Sequence, residues 1–389
     1  MANPKKDLDA IFSRAVESKA MPGIVAMAAT DGGVLYEGAF GTRELGKSAP
    51  MALDAVVWIA SMTKAITATA AMQQVERGKL DLDRPATDVV PELGKAQVLE
   101  GFDGGGKPRL RAPRRPITLR HLLTHTAGFS YEIWAPAIAK YQEATGTPGI
   151  TTCTNAALTT PLLFDPGDRW EYGINIDWAG KMVEVASGLK LDRYFLENVT
   201  GPLGMKDTSF KLSASQRGRL ASVHQRGEGG ALAPIEFGLP EEPEFLMGGG
   251  GLYGTAGDYL AFARMIMQDG RAAGGQVLKP ETVALMAQNH IGALEIGAMT
   301  SAIPPLSNDV ELFPGMSKKW GISFLINTQP VPGGRAAGSL AWAGLANTYF
   351  WIDRSRRVCG VFLSQVLPFY DHTAIDLFGK FETAVYASV

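Results

Sequence analysis

The chain has 389 residues, 46% of them hydrophobic and 20% charged, which is the make-up of a globular protein with material for a large core. Lys plus Arg number 37 against 39 Asp plus Glu, a formal charge of −2, so the balance does not draw the molecule to nucleic acid or an anionic membrane. Two distant cysteines, Cys153 and Cys359, make neither a disulfide framework nor a metal cluster, and the 45 glycines have no period that would mark collagen or a repeat array.

Near the N-terminus, Asp7, Asp9 and Arg14 interrupt the apolar run that a secretory signal needs, and the expectation is a cytoplasmic protein. Leu8, Ile11, Phe12, Ala15 and Val16 instead fall on the apolar stripe of a surface helix. No run approaches the roughly 18 apolar residues of a membrane span. Residues 23–30 read as a buried strand, Asp31-Gly32-Gly33 as a hairpin turn and residues 34–40 as the partner strand. Residues 60–78 are helical, with Ile66, Met72 and Val75 on one stripe and Gly78 as the stop. Residues 101–116, rich in Gly, Pro and Arg, read as a surface loop, after which Thr118 caps a short helix over 119–125.

Further helices are expected from about Ile176 to Ser187-Gly188 and after Thr255. The last third returns to strands at 320–326, 348–352 and 358–363, and a helix from Asp371 closes the chain. Strands at both ends with helices between them predict an α/β fold of the α+β sandwich type. One antiparallel sheet would be built from the N- and C-terminal segments and flanked by helices, with a mostly helical lobe inserted. The expected α/β domain is discontinuous, residues 1–80 and 248–389, and the lobe spans 81–247.

No serine lies in Gly-x-Ser-x-Gly, which disfavours a lipase-type nucleophile elbow. Ser-x-x-Lys occurs twice, at Ser61-Met-Thr-Lys64 and Ser187-Gly-Leu-Lys190, where chance alone gives about 0.8 matches. Context separates them. Ser61 sits where a helix begins, and its spacing puts hydroxyl and amine on one face of the first turn, beside unpaired N–H groups that favour an oxyanion. Ser187 sits at a helix end and reads as an ordinary C-terminal serine. A serine hydroxyl needs a base, and a lysine at its ordinary pKa of about 10.4 is protonated at neutral pH. Burial must therefore favour the neutral amine, and a tyrosine touching both groups could relay the proton.

Ser61-Met-Thr-Lys64, His121-Leu-Leu-Thr-His-Thr-Ala-Gly128 and Gly248-Gly-Gly-Gly-Leu-Tyr-Gly-Thr-Ala-Gly-Asp258 occur in that order across nearly the whole chain. Together they resemble the serine β-lactamase-like superfamily, which holds class C β-lactamases, DD-peptidases and family VIII carboxylesterases. The resemblance implies that Ser61 is the acylated nucleophile and Lys64 its base partner. In Trp170-Glu-Tyr172-Gly-Ile-Asn-Ile-Asp177, Tyr172 stands at the tyrosine of the family's Tyr-x-Asn element and is implied as proton relay. The asparagine position holds Ile174, and Asn175, one residue late, should point elsewhere. In Gly338-Ser-Leu-Ala-Trp342-Ala-Gly344-Leu345, the Trp342-Ala-Gly344 triplet stands where β-lactamases carry Lys-Thr-Gly, and resembles the Trp-x-Gly of family VIII esterases and related acyltransferases.

Losing that cation and hydroxyl removes the partners of a substrate carboxylate, while tryptophan adds an apolar wall. The resemblance further implies an oxyanion hole from the N–H groups of Ser61 and Leu345, with Trp342, Gly344 and Gly250 near substrate. The function it implies is a serine carboxylesterase hydrolysing neutral, short-acyl esters, with no metal and no cofactor. A β-lactamase or D-amino-acid peptidase, an acyltransferase, and a module that is acylated once and stalls are the alternatives.

Other signals carry less. His121 and His125 have a metal-capable spacing but no third ligand, and are expected to bond backbone. Lys107, Arg109, Arg111, Arg114, Arg115 and Arg120 form a basic patch without aromatic residues, a solvated loop rather than a nucleic-acid site. The glycine run from Gly248 to Gly251 has no Lys-Ser/Thr after it and reads as close backbone approach, not a phosphate cradle. The acidic loop around Glu241 and Glu242 is placed at the site entrance.

Overall fold

The computed structural model describes residues 4–389; Met1 to Asn3, where the opening segment starts, lie outside the described residues. A seven-stranded antiparallel sheet is made from the two ends of the chain: β1 (Gly23–Thr30), β2 (Gly33–Gly41), β3 (Lys318–Trp320), β4 (Leu325–Asn327), β5 (Leu340–Gly344), β6 (Thr348–Asp353) and β7 (Val358–Leu363). Their order across the sheet is β3-β4-β5-β6-β7-β1-β2. This is the mixed α/β fold with a large antiparallel sheet that the strand pattern predicts.

The central strands are apolar throughout because both faces are covered. Ile24, Ala26, Ala28, Tyr349, Trp351 and Phe362 face one side. There they meet the helices α1 (Pro4–Glu17) and, at the far end of the chain, α5 (His372–Tyr386) through Phe12, Phe378 and Phe381. Val25, Met27, Phe350, Ile352 and Val361 alternate to the other side. The core on that side takes in α2 (Thr63–Glu76), α3 (Asn175–Ser187) and α4 (Ala256–Met267), the last packed directly on β1, β6 and β7. Capping fixes where these helices start: Thr255 accepts the Asp258 N–H, and Asp371 accepts those of Thr373 and Ala374. Arg335, 1% exposed, ties the loop before β5 to α5 through Glu382.

Two local expectations are corrected. Residues 101–116 are not all loop: Val98–Phe102 and Pro108–Arg111 pair as a hairpin, whose turn is built on Asp103 accepting the N–H groups of Gly105 and Lys107. The single strand expected over 320–326 is two paired strands, β3 and β4, because Ser323 takes a left-handed φ of 64° in the bend between them. No helix of the described residues is long and apolar enough to cross a membrane.

Gly360 lies opposite Trp351 in the β6–β7 ladder, and a Cβ there would sit 2.1 Å from an indole carbon. Gly360→Ala should therefore overpack the sheet and lower stability by about 1–3 kcal/mol, seen as a lower urea midpoint; an unchanged midpoint would refute this packing.

Candidate active site

Helix α2 runs through the centre of the molecule, with every residue from Thr63 to Gln74 buried. Its polar side chains are spent on internal partners: Thr67 donates to the Gly248 carbonyl at 2.7 Å and Gln74 to Tyr194 at 2.7 Å. Ser61 lies just ahead, in a 3₁₀ turn over Ala60–Met62, and is the one half-exposed residue of that turn. Ala60 enters it with φ of 44°, a conformation that L-residues rarely hold.

Lys64 is 1% exposed. Its Nζ lies 3.1 Å from Ser61 Oγ, 2.9 Å from Tyr131 OH and 2.6 Å from the Gly249 carbonyl. The carbonyl can only accept, so it takes one N–H. A neutral amine then has one N–H and one lone pair left, which matches the two hydroxyls that remain. Burial pushes the Lys64 ammonium well below the ordinary lysine range, against the opposing pull of Asp177. Burial acts on the two phenols in the other direction, raising both Tyr131 and Tyr172 and keeping them protonated. Of these three groups, the amine is the one that can receive the serine proton.

Tyr172 is buried, with Lys64 Nζ 4.7 Å from its ring centroid. Its hydroxyl accepts from Trp342 Nε1 at 2.9 Å. Residues 342 and 344 point to one side of β5, the side facing the 3₁₀ turn. A Cβ at Gly344 would lie 2.4 Å from the Ile59 carbonyl, so glycine is what lets β5 close on the turn that carries Ser61. Leu345 follows at the strand end, half-buried, and its N–H makes no hydrogen bond to loop or turn backbone.

The structure thus brings Ser61, Lys64, Tyr172, Trp342, Gly344 and Leu345 to one place. Gly250 is different: its N–H donates to Met247 and its carbonyl accepts from Trp58 Nε1 at 2.8 Å, so both backbone groups are used inside the protein. Trp342 is only 5% exposed and serves Tyr172 with its N–H as well as presenting an apolar wall. Ser187 ends α3 with its hydroxyl on local backbone, far from any such constellation.

Sequence reasoning missed Tyr131 and Asp177, and which carbonyl of the glycine run meets the amine. Tyr131 comes three residues after Gly128, and Gly173 presses its segment against Tyr172: a Cβ on Gly173 would lie 2.4 Å from Ser130 Cα. The signal for Asp177 was a carboxylate among the apolar residues Ile176 and Trp178. His121 bonds backbone as expected, accepting the Thr118 N–H in a capping box. His125 does not: its Nδ1 meets the Asn175 side chain at 3.0 Å, which also explains where Asn175 points. No group of metal-ligating side chains is present among the described residues.

The rim of the cleft is apolar. Trp134 stands edge-on to Tyr172 at 5.5 Å, held by its indole N–H to Ser307. Phe237 lies tilted against Trp58 at 4.4 Å, and Leu239 packs with it and Leu345 on the cluster around Ala60 and Tyr253. Glu241 and Glu242 follow, paired to Arg217 and Lys211.

A half-exposed serine, a buried lysine touching it whose charged form burial disfavours, and two phenols around the pair make a serine acyl-transfer site on the β-lactamase fold. The chain belongs to the Beta-lactamase family, whose model matches residues 8–381. It is 34% identical to a monacolin J acid methylbutanoyltransferase of Aspergillus terreus over 99% of this chain and 96% of the relative. It is also 34% identical to a lovastatin esterase of Penicillium rubens, over 97% of this chain and 98% of that protein. Unliganded simvastatin synthase (LovD) from A. terreus superposes with a TM-score of 0.87 at 32% identity, covering 100% of this chain and 99% of that one. EstCE1, a hydrolase with promiscuous acyltransferase activity, shares the fold at 23% identity, with a TM-score of 0.77 and 98% of each chain covered. This is a serine enzyme of the acyltransferase and esterase branch of the fold.

Trp342→Phe keeps the ring and removes the N–H that Tyr172 accepts. It should lower kcat by about tenfold or more with a smaller change in KM, as loss of a preorganised donor does; steady-state kinetics with unaltered kcat would show the indole to be packing alone.

Proposed function

We propose that this protein transfers short acyl groups from neutral carboxylic esters through an acyl-enzyme on Ser61, releasing them to water or to an apolar alcohol. Lys64, held neutral by burial, takes the Ser61 proton, directly or through the Tyr172 phenol. Serine then attacks the ester carbonyl, and the N–H groups of Ser61 and Leu345 receive the oxyanion. The proton returns to the leaving alcohol. Water or a second alcohol, deprotonated through the same pair, then cleaves the acyl-enzyme.

The observation that carries this reading is the Trp342 indole bonded to Tyr172 on β5. At that place a β-lactamase or peptidase of the superfamily presents a cation to its substrate's carboxylate. An apolar residue there, with Trp134, Phe237 and Leu239 on the rim, favours substrates without a carboxylate beside the reacting bond. A short branched acyl group is favoured by the methylbutanoyl named for the Aspergillus relative, and the Penicillium esterase supports hydrolysis on the same scaffold. Transfer to alcohol is favoured wherever the apolar rim holds an acceptor in place of water.

The test is a panel of p-nitrophenyl esters from acetate to octanoate, including 2-methylbutanoate, with nitrocefin alongside. Wild type should turn over the short and branched esters far faster than nitrocefin, and an added apolar alcohol should divert product from acid to ester. Ser61→Ala should lose activity by at least about a thousandfold. The base must be neutral, so kcat/KM should fall as pH is lowered through an ionisation well below the free-lysine value of about 10.4. Retained activity in Ser61→Ala, or nitrocefin turnover matching the esters, would overturn the reading.

A further inference from the structure

Asp177 is a fully buried carboxylate on α3, 0% exposed, and it forms no ion pair with an arginine or lysine among the described residues. Its Oδ1 accepts the Gly249 N–H at 2.8 Å, and its Oδ2 has no hydrogen-bond partner. Such a group is costly to keep in a core, and persists only where something opposite offsets it.

That something is one residue away. Gly249 donates its N–H to Asp177 and offers its carbonyl to Lys64 Nζ at 2.6 Å. A Cβ on Gly249 would lie 2.5 Å from Asp177 Oδ2, so only glycine lets carboxylate and backbone approach this closely. The titratable groups facing Asp177 are Lys64 from α2, Tyr131 from the segment after Gly128, Tyr172 from ahead of α3, and Cys153 from the lobe; His125 faces Lys64. Lys64 is the one cation-forming group of the four that face the carboxylate. Burial drives both members of the pair towards their neutral forms, and each opposes that drive on the other.

We propose that Asp177 is the positioning residue of Lys64: it fixes the Gly249 carbonyl on the amine and supplies the buried negative charge that balances Lys64 once it has taken the Ser61 proton. The proton inventory closes. Ser61 O–H breaks, an N–H forms on Lys64, the alkoxide attacks, and the same proton later leaves with the alcohol. During the interval the site holds an ammonium that water does not solvate, and Asp177 is the charge within reach of it. Without Asp177 the lysine is a weaker base, neutral to lower pH and slower to accept the proton.

The inference rests on Ser61 and Lys64 acting as proposed above. Its test is the pH profile of kcat/KM and of Ser61 acylation by a p-nitrophenyl ester, in wild type, Asp177→Asn and Asp177→Ser. Asp177→Asn keeps an acceptor for the Gly249 N–H and removes only the charge. The acid limb should move down by about one pH unit, the shift expected from deleting a nearby opposite charge. kcat should fall about tenfold or more, with KM within about threefold. A merely structural aspartate would lower activity without moving the limb. An unmoved limb in the folded variants overturns the proposal, and so does failure of both variants to accumulate as folded protein, since Asp177 would then be a determinant of the fold. If Ser61→Ala is inactive while the limb stays in place, this proposal alone fails; if Ser61→Ala is active, the acyl-enzyme reading fails first.

Discussion

Lys64 sits on a helix with no solvent-facing side, 1% exposed, and the free energy needed to keep an ammonium there is what disfavours its charged form. The surrounding architecture serves that constraint. Helix α3 packs along α2, and β5 and β6 of the sheet close on the turn that leads into it. Had either left a channel to water, the amine would be protonated at neutral pH and the serine beside it inert. The core is thus part of the proposed chemistry: the same dry interior that stabilises the fold disfavours the charged form of the amine proposed as the base.

A dry site must still hold its polar groups in place, and here aromatic rings and glycines divide that work. Tyr131, Trp134, Trp320 and Trp342 all pack around Tyr172 or its neighbours, so the phenol has little freedom to turn. Gly173, Gly249 and Gly344 lie where two backbones or a backbone and a side chain come within less than 3 Å of a notional Cβ. Each removes the atom that would hold two elements apart: Gly344 for β5 and the turn that carries Ser61, Gly173 for the two tyrosine segments, Gly249 for Asp177 and the lysine's carbonyl partner. The glycine-rich composition therefore has functional addresses, not only turns.

Much of this is legible in the chain because it is local. Ser61 and Lys64 are three residues apart on a turn, Trp342 and Gly344 two apart on a strand, and those periods place each pair on one face whatever the rest of the fold does. The antiparallel sheet follows from apolar runs at both ends, and the helix caps at Thr118, Thr255 and Asp371 are where side-chain chemistry places them. What is not legible depends on distant packing. Tyr131 reaches Lys64 across 67 positions and Gly249 across 185, and nothing in their own neighbourhoods announces a partner. The glycine run shows the same limit. Its role as a place of close approach can be read from composition, but which of its four carbonyls meets the amine is decided by how Asp177 seats the loop.

The acyl-enzyme leaves open which nucleophile ends the cycle, and the physics of the rim bears on that choice. In the mechanism proposed, deacylation would use the same amine and phenol whether the incoming group is water or an alcohol, so those residues would not discriminate between them. Discrimination must come from what occupies the space beside the acylated Ser61. Trp134, against Tyr172, and Phe237 and Leu239, packed on the cluster that holds Ala60, are the partly buried apolar side chains nearest to it. An apolar alcohol gains by covering them, on the order of 25 cal/mol for each Å² removed from water, and in doing so displaces the competing water. Water has no comparable gain. On the proposed mechanism, hydrolysis would then be the outcome of an empty cleft and transfer the outcome of a filled one, which would let one set of groups serve both of the activities named for relatives that share this chain's length and fold.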